Sequence, residues 1–162
     1  MSYCHAIRPA RSSEAALLSE LAVRSKAYWG YSAEFIAACQ EELAVSPQDI
    51  SDPYRAYVVC EIDGSVIGFF AIEPINEDEY ALEALFLEPQ HIGHGYGRVL
   101  INEAKKLAAE LGAKSLLIQG DPHAESFYRK IGGVRIGERE SDSIPGRFLP
   151  EFKILLADEN TA

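Results

Sequence analysis

Basic residues are scarce in this chain: 15 Lys and Arg stand against 25 Asp and Glu, a formal charge of -10. A sequence-independent grip on nucleic acid or on an anionic membrane surface needs the opposite balance, so neither is expected as a partner. Cysteine is sparse as well, and Cys4, Cys39 and Cys60 are odd in number and scattered. None is spaced like a zinc site or a redox pair, so they read as small apolar residues in a reducing compartment. No apolar run has membrane-spanning length, and Met1-Ser2-Tyr3-Cys4-His5 lacks the apolar segment of a secretion signal. A cytoplasmic location is the expectation. No histidine has a companion at metal-ligand spacing, and no metal is expected. Repeats, low-complexity tracts and linkers are also missing, so residues 1–162 read as one domain.

What is present is an ordinary globular mixture, 48% hydrophobic and 25% charged, long enough to bury a core. Tyr3 to Ile7 reads as a first strand stopped by Pro9. Ser12 or Ser13 then reads as a helix cap, with Leu17, Leu18, Leu21 and Ala22 on one stripe. Gly30 breaks that helix, a second follows from Ser32 to about Leu43 with Phe35, Ile36 and Cys39 inward, and Pro47 and Pro53 bracket a loop. From Ala56 to Ile62 and from Val66 to Ile72 the residues are β-rich. Asp63-Gly64 between them is a hairpin signal, so part of the sheet is antiparallel. Tyr80 to Leu87 is a third β-rich run. Leu100, Ile101, Ala104, Leu107, Ala108 and Leu111 form an amphipathic helix ended by Gly112, and Ser115 to Gln119 reads as a strand parallel to the one before that crossover. A short helix from Pro122 to about Ile131 and two strands, Val134 to Glu138 and Phe152 to Leu156, complete an α+β reading.

The segment Leu85 to Arg98 carries the most chemistry. An apolar run ends at Pro89, and Gly93-His94-Gly95-Tyr96-Gly97-Arg98 then opens a helix. Alternate glycines let main chain approach a ligand, and the first amides of a helix have no partner of their own, so the turn suits phosphate oxygens. A dinucleotide-binding fingerprint fits less well, because Arg98 stands where its third glycine belongs and the loop follows a hairpin late in the chain. A phosphate loop ending in Gly-Lys-Ser/Thr is absent.

Together with Asp121-Pro122-His123-Ala124-Glu125-Ser126-Phe127-Tyr128-Arg129-Lys130-Ile131-Gly132-Gly133, this segment resembles the GNAT superfamily of N-acetyltransferases. The family's Gln/Arg-x-x-Gly-x-Gly/Ala loop corresponds to Ile92 onward, with Ile92 in place of the polar residue and Arg98 left to supply charge. Its Asn-x-x-Ala-x-x-Phe-Tyr signature corresponds to Asp121 onward, with Asp121 replacing Asn and Gly133 replacing a later Phe. The resemblance implies a central mixed, mostly antiparallel sheet flanked by helices, with a splayed parallel strand pair. It also implies an acetyl-CoA-dependent acyltransferase acting on a primary amine by direct attack in a ternary complex.

Carried over residue by residue, the resemblance assigns the coenzyme to Gly93, His94, Gly95, Tyr96, Gly97, Arg98, Asp121 and Ser126, and its pantetheine arm to backbone of Phe86 and Leu87. Tyr128 is implied to protonate the departing thiolate, a task suited to a phenol of pKa about 10. Strand alternation sets Glu83 on the face of Leu85 and Leu87, where an apolar setting raises a carboxyl pKa and makes a usable base. An exposed, idle Glu83 reads equally well. Trp29 and Tyr31 at a helix break, and Ile144 in a Ser/Pro/Gly-rich loop, are candidates for the acceptor pocket. A silent acyl-CoA-binding or sensing module of the same fold and, ranked below it, a dinucleotide-dependent oxidoreductase are the alternatives, and homodimerisation stays open.

Overall fold

The computed structural model describes residues 5–156. Asp63 and Gly64 both have positive φ, 52° and 83°, the backbone twist that a two-residue hairpin needs. They fold β2 (Ala56–Ile62) onto β3 (Ser65–Pro74). Around this hairpin lie β1 (His5–Pro9), α1 (Ala15–Ala27), α2 (Ala33–Leu43) and α3 (Pro47–Ser51) on its N-terminal side. After it come β4 (Glu79–Leu87), α4 (Tyr96–Glu110), β5 (Ser115–Gln119), α5 (Glu125–Lys130), β6 (Val134–Glu140) and β7 (Phe148–Leu155). The seven strands make one sheet in the order β1-β2-β3-β4-β5-β7-β6, antiparallel throughout except for β4 with β5. This is the mixed sheet expected from the sequence.

Both faces of the sheet are covered. On one, Leu100, Ile101, Ala104 and Ala108 of α4 and Tyr128 of α5 pack on Phe70, Ile72, Leu82, Leu116, Ile118 and Phe152. On the other, Leu18, Leu21 and Ala22 of α1 pack on Val59 and Phe69. Cys60 is buried in the first core and Cys39 is buried in α2, as expected for small apolar residues. Burial pushes the Cys60 thiol up to about 11 and the Cys39 thiol in the same direction. Among the described residues no helix is long and apolar enough to cross a membrane.

Four boundaries differ from the sequence reading. Pro9 lies within β1 as its last residue, paired with Val58, because β1 is an edge strand paired only with β2 and a missing N–H is tolerated there. Tyr3 and Cys4 lie outside the described residues. Neither Ser12 nor Ser13 caps α1; they form a 3₁₀ turn with Glu14, whose carboxylate accepts the Arg11 N–H at 2.8 Å. Leu17 is 39% exposed, since α1 turns only Leu18, Leu21 and Ala22 fully inward. The stretch between Pro47 and Pro53 contains α3, which Ser46 caps by accepting the Asp49 N–H at 3.0 Å while Asp49 accepts the Ser46 N–H at 2.9 Å. Finally, β7 begins at Phe148 rather than Phe152, and Pro150 within it keeps its carbonyl in use by accepting from the Gly120 N–H at 2.9 Å.

Two irregularities of β4 give the molecule its cleft and aim a carboxylate. Its pairing with β5 runs only from Glu79↔Ser115 to Leu82↔Ile118, so the strands part beyond Leu82. Against β3 the register jumps from Ile72↔Leu82 to Ala71↔Ala84, leaving Glu83 as the extra residue of a β-bulge.

Candidate active site

A cleft of about 900 Å³ opens where β4 and β5 separate. At one end stands the glycine turn. Gly93 and Gly95 have φ of 86° and 90°, and no atom lies within 4 Å of where a Cβ would stand on either. The turn is therefore a concave run of bare backbone. Gly95 is the N-cap of α4, whose first bond back to it is the Val99 N–H on the Gly95 carbonyl at 3.2 Å. Among the described residues nothing accepts from the Gly97 and Arg98 amides, and the helix dipole adds positive potential there. Gly93, Gly95, Gly97, Arg98 and Ser126 line the cleft. His94 is exposed and Tyr96 sets its ring edge-on to His91 at 5.7 Å, and neither lines the cleft.

Along the cleft runs the open edge of β4. The Glu88 N–H donates to the Ile67 carbonyl of β3 at 2.8 Å, while the Leu87 N–H donates the other way, to the Ser25 hydroxyl at 3.3 Å. Backbone groups alternate sides along an antiparallel strand, so Phe86 presents its main chain to β3 and Leu85 and Leu87 present theirs to the opening. Of the two backbones assigned from sequence, Leu87 alone reaches the open edge. The Phe86 side chain still lines the cleft. Ser25, buried on α1, was not legible as a site residue, because its partner lies 62 residues away in sequence.

The bulge corrects the placement of Glu83. Leu82, Leu85 and Leu87 belong to the core under α4, whereas Ala84 and Phe86 belong to the core under α1. Simple alternation fails at the inserted residue, and Glu83 lies with Ala84, opposite Leu85 and Leu87. Its neighbours are accordingly Glu73, Arg55, Arg139 and Tyr57. Glu83 is exposed where it lines the cleft, as one of the two sequence readings had it, with Glu73, Arg55 and Arg139 as its charged neighbours. Desolvation, followed by hydrogen bonding and like charge from Glu73, pushes it up to about 7. The expected shift is present, with a second carboxylate as part of its cause.

Tyr128 is buried and its ring packs on Phe127 and Phe152 at 5.2 and 5.7 Å. The seat depends on Gly120, where an added Cβ would stand 2.9 Å from the tyrosine ring. Tyr128 lines the cleft, and among the described residues its hydroxyl has no hydrogen-bond partner. Burial, aided by the Asp121 charge, pushes the phenol well above its ordinary value, so it keeps its proton at neutral pH.

Asp121 lines the cleft but is already well supplied with partners. Its carboxylate meets Lys26 Nζ at 2.6 Å, the Tyr31 hydroxyl at 2.9 Å and Arg147 at 3.4 Å, and accepts the His123 N–H at 2.9 Å. Desolvation pushes its pKa up, but Lys26, His123 and Tyr31 outweigh that and hold it below the usual carboxylate range. Trp29 stacks on His123 at 5.3 Å and lines the cleft. Tyr31 donates no room to the cleft itself; it stacks on Phe35 at 4.1 Å and receives Arg147 at 2.7 Å. Ile144 lies in the 141–147 loop, which Arg147 and a Ser143–Glu42 hydrogen bond tie to the α1–α2 side, and it does not line the cleft. The network joining Lys26, Tyr31, Asp121 and Arg147 includes a bond between Tyr31 and Arg147, 116 residues apart in sequence, so no local pattern announces it.

A sheet opened between its parallel strands, beside a helix begun by bare backbone, is an α+β arrangement with known relatives. Residues 21–133 match the model of the acetyltransferase (GNAT) family, well over half of the chain. This chain belongs to that family. It is 27% identical over 96 residues to the N-alpha-acetyltransferase RimI of Mycobacterium tuberculosis (strain ATCC 25618 / H37Rv), covering 57% of this chain and 60% of that protein. A putative [ribosomal protein bS18]-alanine N-acetyltransferase of Bacillus subtilis (strain 168) is 27% identical over 86 residues, covering 51% and 56%. The chain thus spans little more than half the length of these curated relatives. Among solved structures, PaiA N-acetyltransferase from Thermoplasma acidophilum in complex with coenzyme A aligns with a TM-score of 0.74 at 21% identity, over 96% of this chain and 99% of that one. A GCN5-related N-acetyltransferase structure from Rhodopseudomonas palustris gives 0.76 at 24%, over 93% and 95%. At such identities the likeness is one of fold.

Proposed function

We infer that this protein moves an acetyl group from acetyl-CoA to a primary amine, by direct attack of the amine while both are bound. The observation that carries this reading is that one cleft contains the glycine turn, the open edge of β4, the Tyr128 hydroxyl and the Glu83 carboxyl. Bare backbone at Gly93 and Gly95, with no atom where a Cβ would stand, fits a pyrophosphate, and the Gly97 and Arg98 amides are its donors. The coenzyme supplies an activated thioester. The Leu87 amide is the donor best placed to stabilise negative charge on the acyl oxygen. Glu83, pushed up to about 7, accepts a proton from the amine directly or through water. Tyr128, kept neutral by burial, returns one to the leaving thiolate. Cys39 and Cys60 are buried and held as thiols, which favours direct attack over a cysteine intermediate.

The test is release of free coenzyme A thiol across a panel of primary amines, beside calorimetric titration with acetyl-CoA. Amine-dependent release is the expected outcome. Tight binding without release by any amine makes the protein an acyl-CoA-binding module instead, and absence of binding overturns the reading.

A further inference from the structure

Arg55, Asp49 and Glu73 form a charged network on the α1 side of the sheet that the proposed acetyl transfer does not use. Arg55 stands just before β2 and donates Nε to Glu73 Oε2 of β3 at 3.1 Å and a terminal nitrogen to Asp49 Oδ1 of α3 at 2.6 Å. Asp49 is itself fixed, since it closes the Ser46 cap of α3. The guanidinium therefore comes anchored at one end and holds the Glu73 carboxylate at the other. Glu73 pairs with Ala81 across the sheet, and strand alternation puts Glu83, two residues further along β4, on that same face. The extra residue acts just beyond this pair, where it keeps Ala84 and Phe86 in the core under α1 and Leu85 and Leu87 in the core under α4.

We propose that Glu73 and Glu83 are a carboxyl pair sharing one proton, with Arg55 as the positioning residue that ties up Glu73 and so leaves the proton on Glu83. Two carboxylates that face each other on one side of a sheet do not both ionise freely, and the member without a guanidinium partner is the one that holds the proton. The groups facing Glu83 are Glu73 from β3, Arg55 and Tyr57 from the β2 side, and Arg139 from β6, with Asp49 acting through Arg55. Glu73 strengthens Glu83 as a base and Arg55 moderates it, so basicity near neutral pH is a property of the network and not of burial alone. This inference rests on the base role proposed for Glu83, but its first readout does not require activity.

The experiment is carboxyl-carbon NMR of the full chain labelled at glutamate, with the Glu83 signal assigned from Glu83→Gln. Glu73→Gln keeps a hydrogen-bonding partner and removes the like charge, so the Glu83 midpoint falls by about one pH unit. Arg55→Gln moves it upward, and Arg55→Lys restores most of the wild-type position. A Glu83 midpoint unmoved by Glu73→Gln overturns the pair. Should Arg55→Gln not fold, Glu73→Gln decides alone, since it leaves the Arg55–Asp49 anchor in place. Thiol release against pH then separates the two readings: a midpoint that moves while the rate profile stays fixed upholds the pair and removes Glu83 from the reaction.

Discussion

The two ends of the cleft are built from different materials. At the coenzyme end the candidate contacts are main chain: left-handed glycines, the first amides of α4 and the open edge of β4. At the other end, the acceptor side on the proposed reading, they are side chains held by other side chains: Asp121, read from the sequence as a coenzyme contact, is tied to Lys26, Tyr31 and Arg147, and Glu83 stands beside Glu73, which Arg55 holds. Backbone recognition is indifferent to most substitutions and is written in short local patterns. Side-chain networks are sensitive to single atoms and are assembled from distant parts of the chain. The difference predicts that mutations at the acceptor end act on rate and stability, while most at the coenzyme end are silent unless they alter backbone shape.

The largest effect is expected from Glu83→Gln, which preserves size and removes basicity. Turnover with amines falls by about a hundredfold or more, while thermal stability changes little. In the wild type, kcat/KM is expected to decline as pH drops through about 7, because a base in the proposed role must be unprotonated to act. That acid limb is lost in the variant. Acceptors of different amine pKa distinguish it from deprotonation of the amine itself, and a limb that follows the acceptor alone removes Glu83 from the role.

Tyr128→Phe comes next, with turnover lower by about a hundredfold and coenzyme affinity nearly unchanged. Single-turnover kinetics beside calorimetric titration checks it; full chemical rate in the variant makes Tyr128 a packing residue.

Asp121→Asn tests the network through stability. Losing the charge leaves Lys26 and Arg147, at 14% and 17% side-chain exposure, without their counter-ion. The expected cost at neutral pH is about 2–3 kcal/mol in urea unfolding. The native carboxyl is held below its usual range, so its contribution is present above the unfolded value of about 4 and is lost as pH falls through the lower folded value. Wild type and variant therefore converge in acid. Equal separation at every pH is the contrary result.

At the coenzyme end, Gly95→Ala forces a side chain into left-handed backbone and costs about 1–2 kcal/mol, read as weaker acetyl-CoA binding or a lower melting temperature. His94→Ala, one residue away on an exposed side chain, leaves affinity within about twofold because only main chain is used there. A large loss at His94 would break the contrast between the two ends.

The same contrast explains what the sequence made legible. Asp63-Gly64, the glycine turn and the amphipathic stripe of α4 are local signals, and each element stands where its pattern indicates. Glu83 is legible as a candidate but not its face, because period-two reasoning cannot register an inserted residue without the partner strand. Proline obscured α3 and the start of β7, since a proline at the first helical position or one that keeps only its carbonyl engaged looks locally like a break. Lys26, Tyr31, Asp121 and Arg147 are brought together by the tertiary fold from three distant parts of the chain.

The 3.3 Å bond from the Leu87 N–H to the Ser25 hydroxyl bears on how the cleft stays open before anything enters it. An amide facing an empty gap invites the neighbouring strand to zip onto it. Ser25 acts as a placeholder, satisfying the donor from the helical side while leaving β4 and β5 apart. Its long bond makes it an easily displaced tenant, so on the proposed reading an incoming carbonyl would exchange one acceptor for another without uncovering a bare donor. Admission would then be a swap within an already shaped edge.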